Sequence, residues 1–293
     1  MRIRDALDQH KPALSFEFFP PKTDIGFWDL YRTLESLKPL EPTYISVTYG
    51  AGGSSRRKTV DLVQRIKNDI KIEAMAHLTC VGATCKELAG VLDNLKAHGI
   101  ENVLPLRGDP PQGQDRFVPT KGGFAYANEL VEFIRNRYDF CLAAACYPEG
   151  HPECPNRQKD LDNLKRKVDA GVDFLITQLF FNNDDFFAFR DRAVAARIGL
   201  PILAGIMPIQ SVKQVKRFTK MCGACIPDQL LDKIEAVEDD PEAVRQVGSY
   251  HATEQCHALI AGEVAGIHFY TLNKSTTTRA IFQQIKSRLS VTP

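Results

Sequence analysis

Residues 15–21 read Ser-Phe-Glu-Phe-Phe-Pro-Pro, placing one carboxylate, Glu17, inside an aromatic run that ends in two prolines. The run has the composition of a buried strand, and an unpaired carboxylate buried there is costly because its charge loses water. Glu17 is therefore paired, set at a mouth, or kept for proton chemistry. Other polar residues stand at the ends of other apolar runs: Thr48 and Tyr49, His77 and Thr79, Arg107 and Asp109, Tyr147 with Glu149 and His151, Gln178, and Tyr270 with Asn273 and Lys274. Arg107 and nearby backbone amides suit phosphate, the tyrosine and histidine rings suit stacking, and Asp109 and Gln178 offer hydrogen bonds. Together they suit the holding of a large polar molecule.

Taken singly, these residues have plainer readings. Glu17 could pair with an arginine, His77 could be a core histidine bonded to backbone, Arg107-Gly108-Asp109 could be a surface turn, and residues 50–53 a flexible loop. Cys222-Gly-Ala-Cys225 has zinc or redox spacing, but no second pair completes a tetrahedral site, so a structural role is favoured. No strand body carries a lysine, which weakens a Schiff-base mechanism; Lys274 is the one candidate just past a strand.

The elements that must position these residues are short apolar runs bounded by Gly or Pro, at 13–19, 43–49, 72–80, 102–108, 140–147, 173–181, 201–207 and 266–272. Amphipathic stretches of helical period lie between them, at 27–37, 58–70, 85–98, 127–136, 159–170, 184–197 and 212–221. Gly99 and Gly171 stand where helix ends call for a left-handed cap. Eight strand-helix units predict an α/β fold, a (β/α)8 TIM barrel, whose strands are buried on both faces and whose function collects at their C-terminal ends. A doubly wound sheet would carry a Gly-x-Gly-x-x-Gly turn after an early strand, and none occurs. The longest gap, 208–265, predicts extra helices at 226–237 and 241–261 between strands 7 and 8. No linker or repeat divides the chain, so residues 1–293 read as one catalytic domain.

With 37 Lys+Arg against 36 Asp+Glu in 293 residues, nothing in the overall charge points to nucleic acid or an anionic membrane. The absence of a hydrophobic leader and of a run of about 18 apolar residues predicts a cytoplasmic protein, and eight cysteines are too sparse for a disulfide scaffold.

The motifs, in order, resemble the short bacterial type of methylenetetrahydrofolate reductase. They are Ser-Phe-Glu-Phe-Phe-Pro-Pro from residue 15, Val-Thr-Tyr-Gly-Ala from 47, His-Leu-Thr-Cys from 77, Leu-Arg-Gly-Asp from 106 and Tyr-Pro-Glu-Gly-His-Pro from 147. Asn-Leu-Lys-Arg-Lys-Val-Asp-Ala-Gly from 163, Thr-Gln-Leu-Phe-Phe from 177, Gly-Ile-Met-Pro from 205 and His-Phe-Tyr-Thr-Leu-Asn from 268 complete the set. The resemblance implies a (β/α)8 flavoprotein of one-carbon metabolism and methionine biosynthesis. Such a protein takes hydride from NADH or NADPH onto FAD and passes it, in a ping-pong sequence, to 5,10-methylenetetrahydrofolate, giving 5-methyltetrahydrofolate. It further implies a homo-oligomer and, for a chain of this length, no regulatory domain and no adenosylmethionine control.

Carried over by position, Glu17 would be the general acid that protonates folate N10. That role needs a raised pKa, which the aromatic strand would supply by desolvation. Asp109 would stand between flavin and folate. FAD would be held by Tyr49, Ala51, His77, Arg107, Gly108, Asp109, Tyr126, Ala127, Tyr147, His151, Asp160, Asn163, Arg166 and Lys167, with Thr48 on the nicotinamide side. Asp160, Asn163, Arg166 and Lys167 share one helix face, and the two cations would meet the pyrophosphate. Gln178, Gln214, Phe218, Tyr270 and Lys274 would contact substrate. Lys274 departs from the expected arginine, keeping the charge near the folate tail but losing the bidentate fork; the stretch Gly50-Ala51-Gly52-Gly53-Ser54-Ser55-Arg56-Arg57 after strand two, on the nicotinamide side, is a second departure. Two other readings remain: a proline-dehydrogenase-like FAD barrel, and a non-catalytic flavin-binding module, against which Glu17 argues because binding FAD does not require it.

Overall fold

The computed structural model describes residues 1–9, 11–49, 54–110, 113, 116–274 and 276–289. Eight parallel strands close into a barrel in chain order. They are β1 (Ala13–Phe18), β2 (Tyr44–Val47), β3 (Ala74–Thr79), β4 (Asn102–Leu106), β5 (Cys141–Cys146), β6 (Phe174–Thr177), β7 (Ile202–Ile206) and β8 (Gly266–Tyr270). Each falls within a predicted run, and all are shorter because the polar ends belong to the mouth loops. Alternation sorts each strand into two faces. Phe16, Phe18, Ile45, Val47 and Leu78 pack outward against the helices, while Tyr44, Met75, Leu104, Phe174, Ile176 and Leu203 fill the lower interior. Full burial of such side chains contributes roughly 1.5–3 kcal/mol each.

The surrounding helices are α2 (Asp24–Leu37), α3 (Ser54–Arg65), α4 (Cys85–Ala97), α5 (Ala127–Arg135), α6 (Arg157–Asp169), α7 (Asn183–Ala195) and α11 (Thr276–Leu289). Their starts are set by local chemistry: Thr84 and Glu87 form a reciprocal capping box on α4, and Asn156 accepts from Lys159 N at 2.9 Å to open α6. The predicted glycine stops hold, with φ of 73° at Gly99 and 112° at Gly171. Between β7 and β8 the chain makes a long excursion through α8 (Val212–Cys222), α9 (Asp228–Glu235) and α10 (Pro241–Ala261), the last two close to the expected positions.

Two α-helices among the described residues were not predicted. α1 (Ile3–Gln9) is too short to show a period, yet its Ile3 and Leu7 enter the lower barrel cluster, and Ile3 N donates to Asn102 Oδ1 at 2.8 Å at the start of β4. α11 supplies the eighth outer helix through Ile281, Phe282 and Ile285. Among the described residues no helix is long and apolar enough to cross a membrane.

Candidate active site

Strand register stacks polar residues above the apolar floor of the barrel. Ser15 pairs in register with Tyr44 and His268, and two residues further along β1 Glu17 pairs with Ser46 and Tyr270. The inward side of β1 is therefore Ser15 then Glu17, with a histidine, a serine and two tyrosines on the neighbouring strands. Glu17 keeps 17% of its side chain exposed at the mouth. Its Oε2 lies 3.4 Å from His268 Nε2 and 3.5 Å from His77 Nε2, and its carbonyl accepts from Thr271 Oγ1 at 2.6 Å.

This environment corrects the expectation for Glu17. Phe16 and Phe18 point away from it into the outer layer, so they cannot be its apolar surroundings. Burial pushes the carboxyl up, but the His268 hydrogen bond, the neighbouring His77 and the Ser46 hydroxyl outweigh burial and hold it below the usual carboxylate range. Burial pushes His77 down to about 4, against the pull of the Glu17 charge, so that ring is uncharged at neutral pH. Tyr270 reaches across the barrel and donates to the Thr177 carbonyl at 2.6 Å. Its ring passes over Gly205, where a Cβ would stand 2.7 Å from the ring and 2.3 Å from the Thr177 carbonyl oxygen. The glycine of Gly-Ile-Met-Pro is what lets Tyr270 lie there.

Beside the mouth, a cavity of about 800 Å³ opens between β4, β5, α5 and α6. It gathers nine of the residues expected around FAD: Arg107, Tyr126, Ala127, Tyr147, His151, Asp160, Asn163, Arg166 and Lys167. Lys167 Nζ reaches back to donate to the Ala145 carbonyl at 2.8 Å, and burial pushes its pKa down. An ammonium in such a place favours an anion. Arg166 donates to Asn163 Oδ1 at 2.7 Å. Burial raises the Asp160 carboxyl, whose Oδ2 accepts from His151 N at 3.2 Å, and lowers His151, whose ring meets Tyr147 edge-on at 4.6 Å. The volume, the basic residues and the exposed Tyr126 ring fit a dinucleotide.

The remaining predicted residues are placed separately. Gly108 has φ of 87°, and a Cβ would meet Val81 at 2.8 Å, so only glycine fits the turn that carries exposed Asp109. Thr48 N donates to the Phe18 carbonyl at 2.8 Å beside buried Tyr49. Gln178 borders a small second cavity with Tyr147 and Cys222, its Oε1 accepting from Leu179 N at 2.9 Å. Gln214 and Phe218 lie on α8, and Phe218 and Tyr270 pack on one apolar cluster. Lys274 is exposed just beyond β8, and Ala51 falls outside the described residues.

Sequence reasoning missed the partners. Ser15, Tyr44 and His268 lie inside the barrel one layer below Glu17 and Ser46 beside it, and Glu153 takes both Arg107 Nη atoms at 2.6 Å. The signal for the first group was available, because each sits an even number of residues before a mouth residue or in register with one. Glu153 had no such signal.

The barrel, its polar mouth and the adjoining cavity define a (β/α)8 barrel protein with its polar residues gathered at the C-terminal ends of the strands. The family model described as methylenetetrahydrofolate reductase matches residues 2–286. The 5,10-methylenetetrahydrofolate reductase of Escherichia coli K12 is 39% identical over 284 residues, covering 95% of this chain and 94% of its own. Methylenetetrahydrofolate reductase (NADH) 1 of Arabidopsis thaliana is also 39% identical, over 295 residues. The chain covers 97% of itself in that match but only 50% of the plant protein, so it spans about half the length of the plant relatives it matches. A solved protein from Clostridium thermocellum, described as binding two copies of 5-methyl-5,6,7,8-tetrahydrofolic acid, superposes with a TM-score of 0.60 at 16% identity, covering 98% of this chain and 100% of its own; that likeness shows the fold alone. The chain belongs to the methylenetetrahydrofolate reductase family.

Proposed function

We propose that the protein is an FAD-dependent 5,10-methylenetetrahydrofolate reductase, driven by NADH or NADPH, with residues 1–293 acting as one catalytic unit. The observation that carries the reading is Glu17, an inward carboxyl at the barrel mouth between two imidazoles, beside a cavity of dinucleotide size. Arg107, Arg166 and Lys167 would meet the diphosphate and Tyr126, Tyr147 and His151 the ring systems, with Asp160 and Asn163 completing the α6 face. When bound, FAD supplies the hydride relay from the reduced nicotinamide to the folate.

Glu17 gives its proton to N10 of the folate; the N10 bond to the bridging carbon breaks, and the iminium so formed accepts hydride. Covering the mouth with substrate removes water from the carboxyl and strengthens the burial that pushes its pKa up, against the His268 hydrogen bond and the nearby His77. Asp109, Gln178 and Tyr270 would face the pterin, Gln214 and Phe218 would close from α8, and Lys274 would meet the anionic tail.

The test separates the two half-reactions. In Glu17→Gln, reduced nicotinamide still bleaches the flavin while folate reduction is lost; equal loss of both removes Glu17 from the acid role. A protein that cannot be loaded with FAD sinks the flavin part of the reading.

A further inference from the structure

His268 is fully buried, and it enters the proposed chemistry only through its contact with Glu17. Its ring is held on two sides: it stacks on Tyr44 at 5.7 Å and 18°, and meets Tyr270 edge-on at 5.6 Å and 85°. Its two nitrogens face different groups. Nδ1 lies 2.8 Å from Ser15 Oγ and 3.4 Å from the Tyr44 hydroxyl; Nε2 lies 3.4 Å from Glu17 Oε2 and 3.3 Å from Ser46 Oγ.

These contacts choose a tautomer. A carboxylate only accepts, so the nitrogen facing Glu17 must carry the hydrogen, and Nδ1 then accepts from a hydroxyl below. Ser15 is nearer to Nδ1 than to its other acceptor, the Ile267 carbonyl at 3.3 Å. Burial also pushes the Tyr44 hydroxyl far above its ordinary range, which keeps it a donor. Its second nitrogen faces both the Ser46 hydroxyl and the carboxyl at the mouth, and the carboxyl is the partner that a core histidine would not need.

Resting on the function proposed above, we propose that His268 is a positioning residue for the general acid. Ser15 and Tyr44 lock its ring so that Nε2–H holds one oxygen of the Glu17 carboxyl and sets both its direction and its readiness to give up a proton. The titratable groups facing this pair are His77 from β3, Tyr44 from β2 and Tyr270 from β8, with Tyr147 just past β5 and Cys141 and Cys146 of β5 beyond them. His77 lies 3.5 Å from the Glu17 carboxyl, and Tyr44 and Tyr270 also feel its charge.

The variant His268→Leu removes the donor while keeping much of the volume. Losing the donor frees Glu17 to titrate higher. The high-pH limb of the folate half-reaction therefore moves up by about one pH unit, a tenfold change in the protonated fraction, while flavin reduction by nicotinamide keeps its pH profile. His268→Gln, which can still donate, stays near the wild-type profile. A purely structural role would lower the rate at every pH without moving the limb, and that result overturns the proposal. Should His268→Leu fail to fold, Ser15→Ala unlocks the ring from below and shifts the limb in the same direction by less; an unmoved limb there overturns it equally. Carboxyl-carbon NMR of Glu17 in the full-length wild-type protein and the same variant needs no substrate. A raised titration in the variant supports the coupling even if folate reduction proves absent, and an unmoved one refutes it even if folate reduction is present.

Discussion

The crossing of Tyr270 over Gly205 gives a sharp prediction. In Gly205→Ala the new methyl would stand 2.3 Å from the Thr177 carbonyl oxygen and 2.7 and 2.9 Å from Tyr270 Cε2 and hydroxyl oxygen. The first neighbour is backbone in the barrel wall and the second is held by its own 2.6 Å hydrogen bond, so neither gives way cheaply. Overpacking of this kind costs about 1–3 kcal/mol, and a Tyr270 hydrogen bond strained or lost adds about 1 kcal/mol. The sum, roughly 2–4 kcal/mol, corresponds to a melting temperature lower by about 3–7 °C for a chain of this size. Gly90 is the control. It lies exposed inside α4 with nothing within 4 Å of a Cβ, so Gly90→Ala gains about 0.5–1 kcal/mol from helix propensity alone. Thermal unfolding by circular dichroism on both variants reads the opposite signs. A Gly205→Ala protein that melts with the wild type would refute the packing argument.

Further outcomes follow from the charged groups. His77 is held down to about 4 by burial, so between its unfolded value near 6.5 and that pH the unfolded chain binds the extra proton. Its contribution to stability is thus complete above pH 6.5 and is lost as pH falls through the window, by about 3 kcal/mol in all. His77→Asn should flatten urea-derived stability against pH over that range, and an unchanged slope would place the titration elsewhere. Lys167→Met should weaken FAD binding by about tenfold, or 1.4 kcal/mol, without lowering the melting temperature of the FAD-free protein, because burial already disfavours that charge; fluorescence titration and thermal scans decide it.

The barrel was legible in the sequence because parallel strands are apolar on both faces and the runs between helices can be counted. α1 was not, since seven residues carry too little periodicity and its role is tertiary: it closes the barrel floor with Ile3 and Leu7. In the site, the α6 residues were readable because helical spacing puts Asp160, Asn163 and Lys167 on one wall, and the cavity is found there. The surroundings of Glu17 were misread for the opposite reason. In a strand the sequence neighbours Phe16 and Phe18 face away, and the true neighbours come from β2, β3 and β8, far off in the chain. The Arg107 and Glu153 pair joins two loops whose approach only the folded barrel fixes.

The excursion between β7 and β8 is where the chain leaves the barrel for longest before returning. At that seam β7 and β8 are joined by a register running from Leu203 with Gly266 to Ile206 with Phe269, and Tyr270 is pinned to Thr177 on β6, spanning β7. Closure there depends on strand pairing and one side chain more than on the continuity of the peptide. New termini opened within the excursion would leave a closed barrel, which makes this segment the natural place to cut and rejoin the chain.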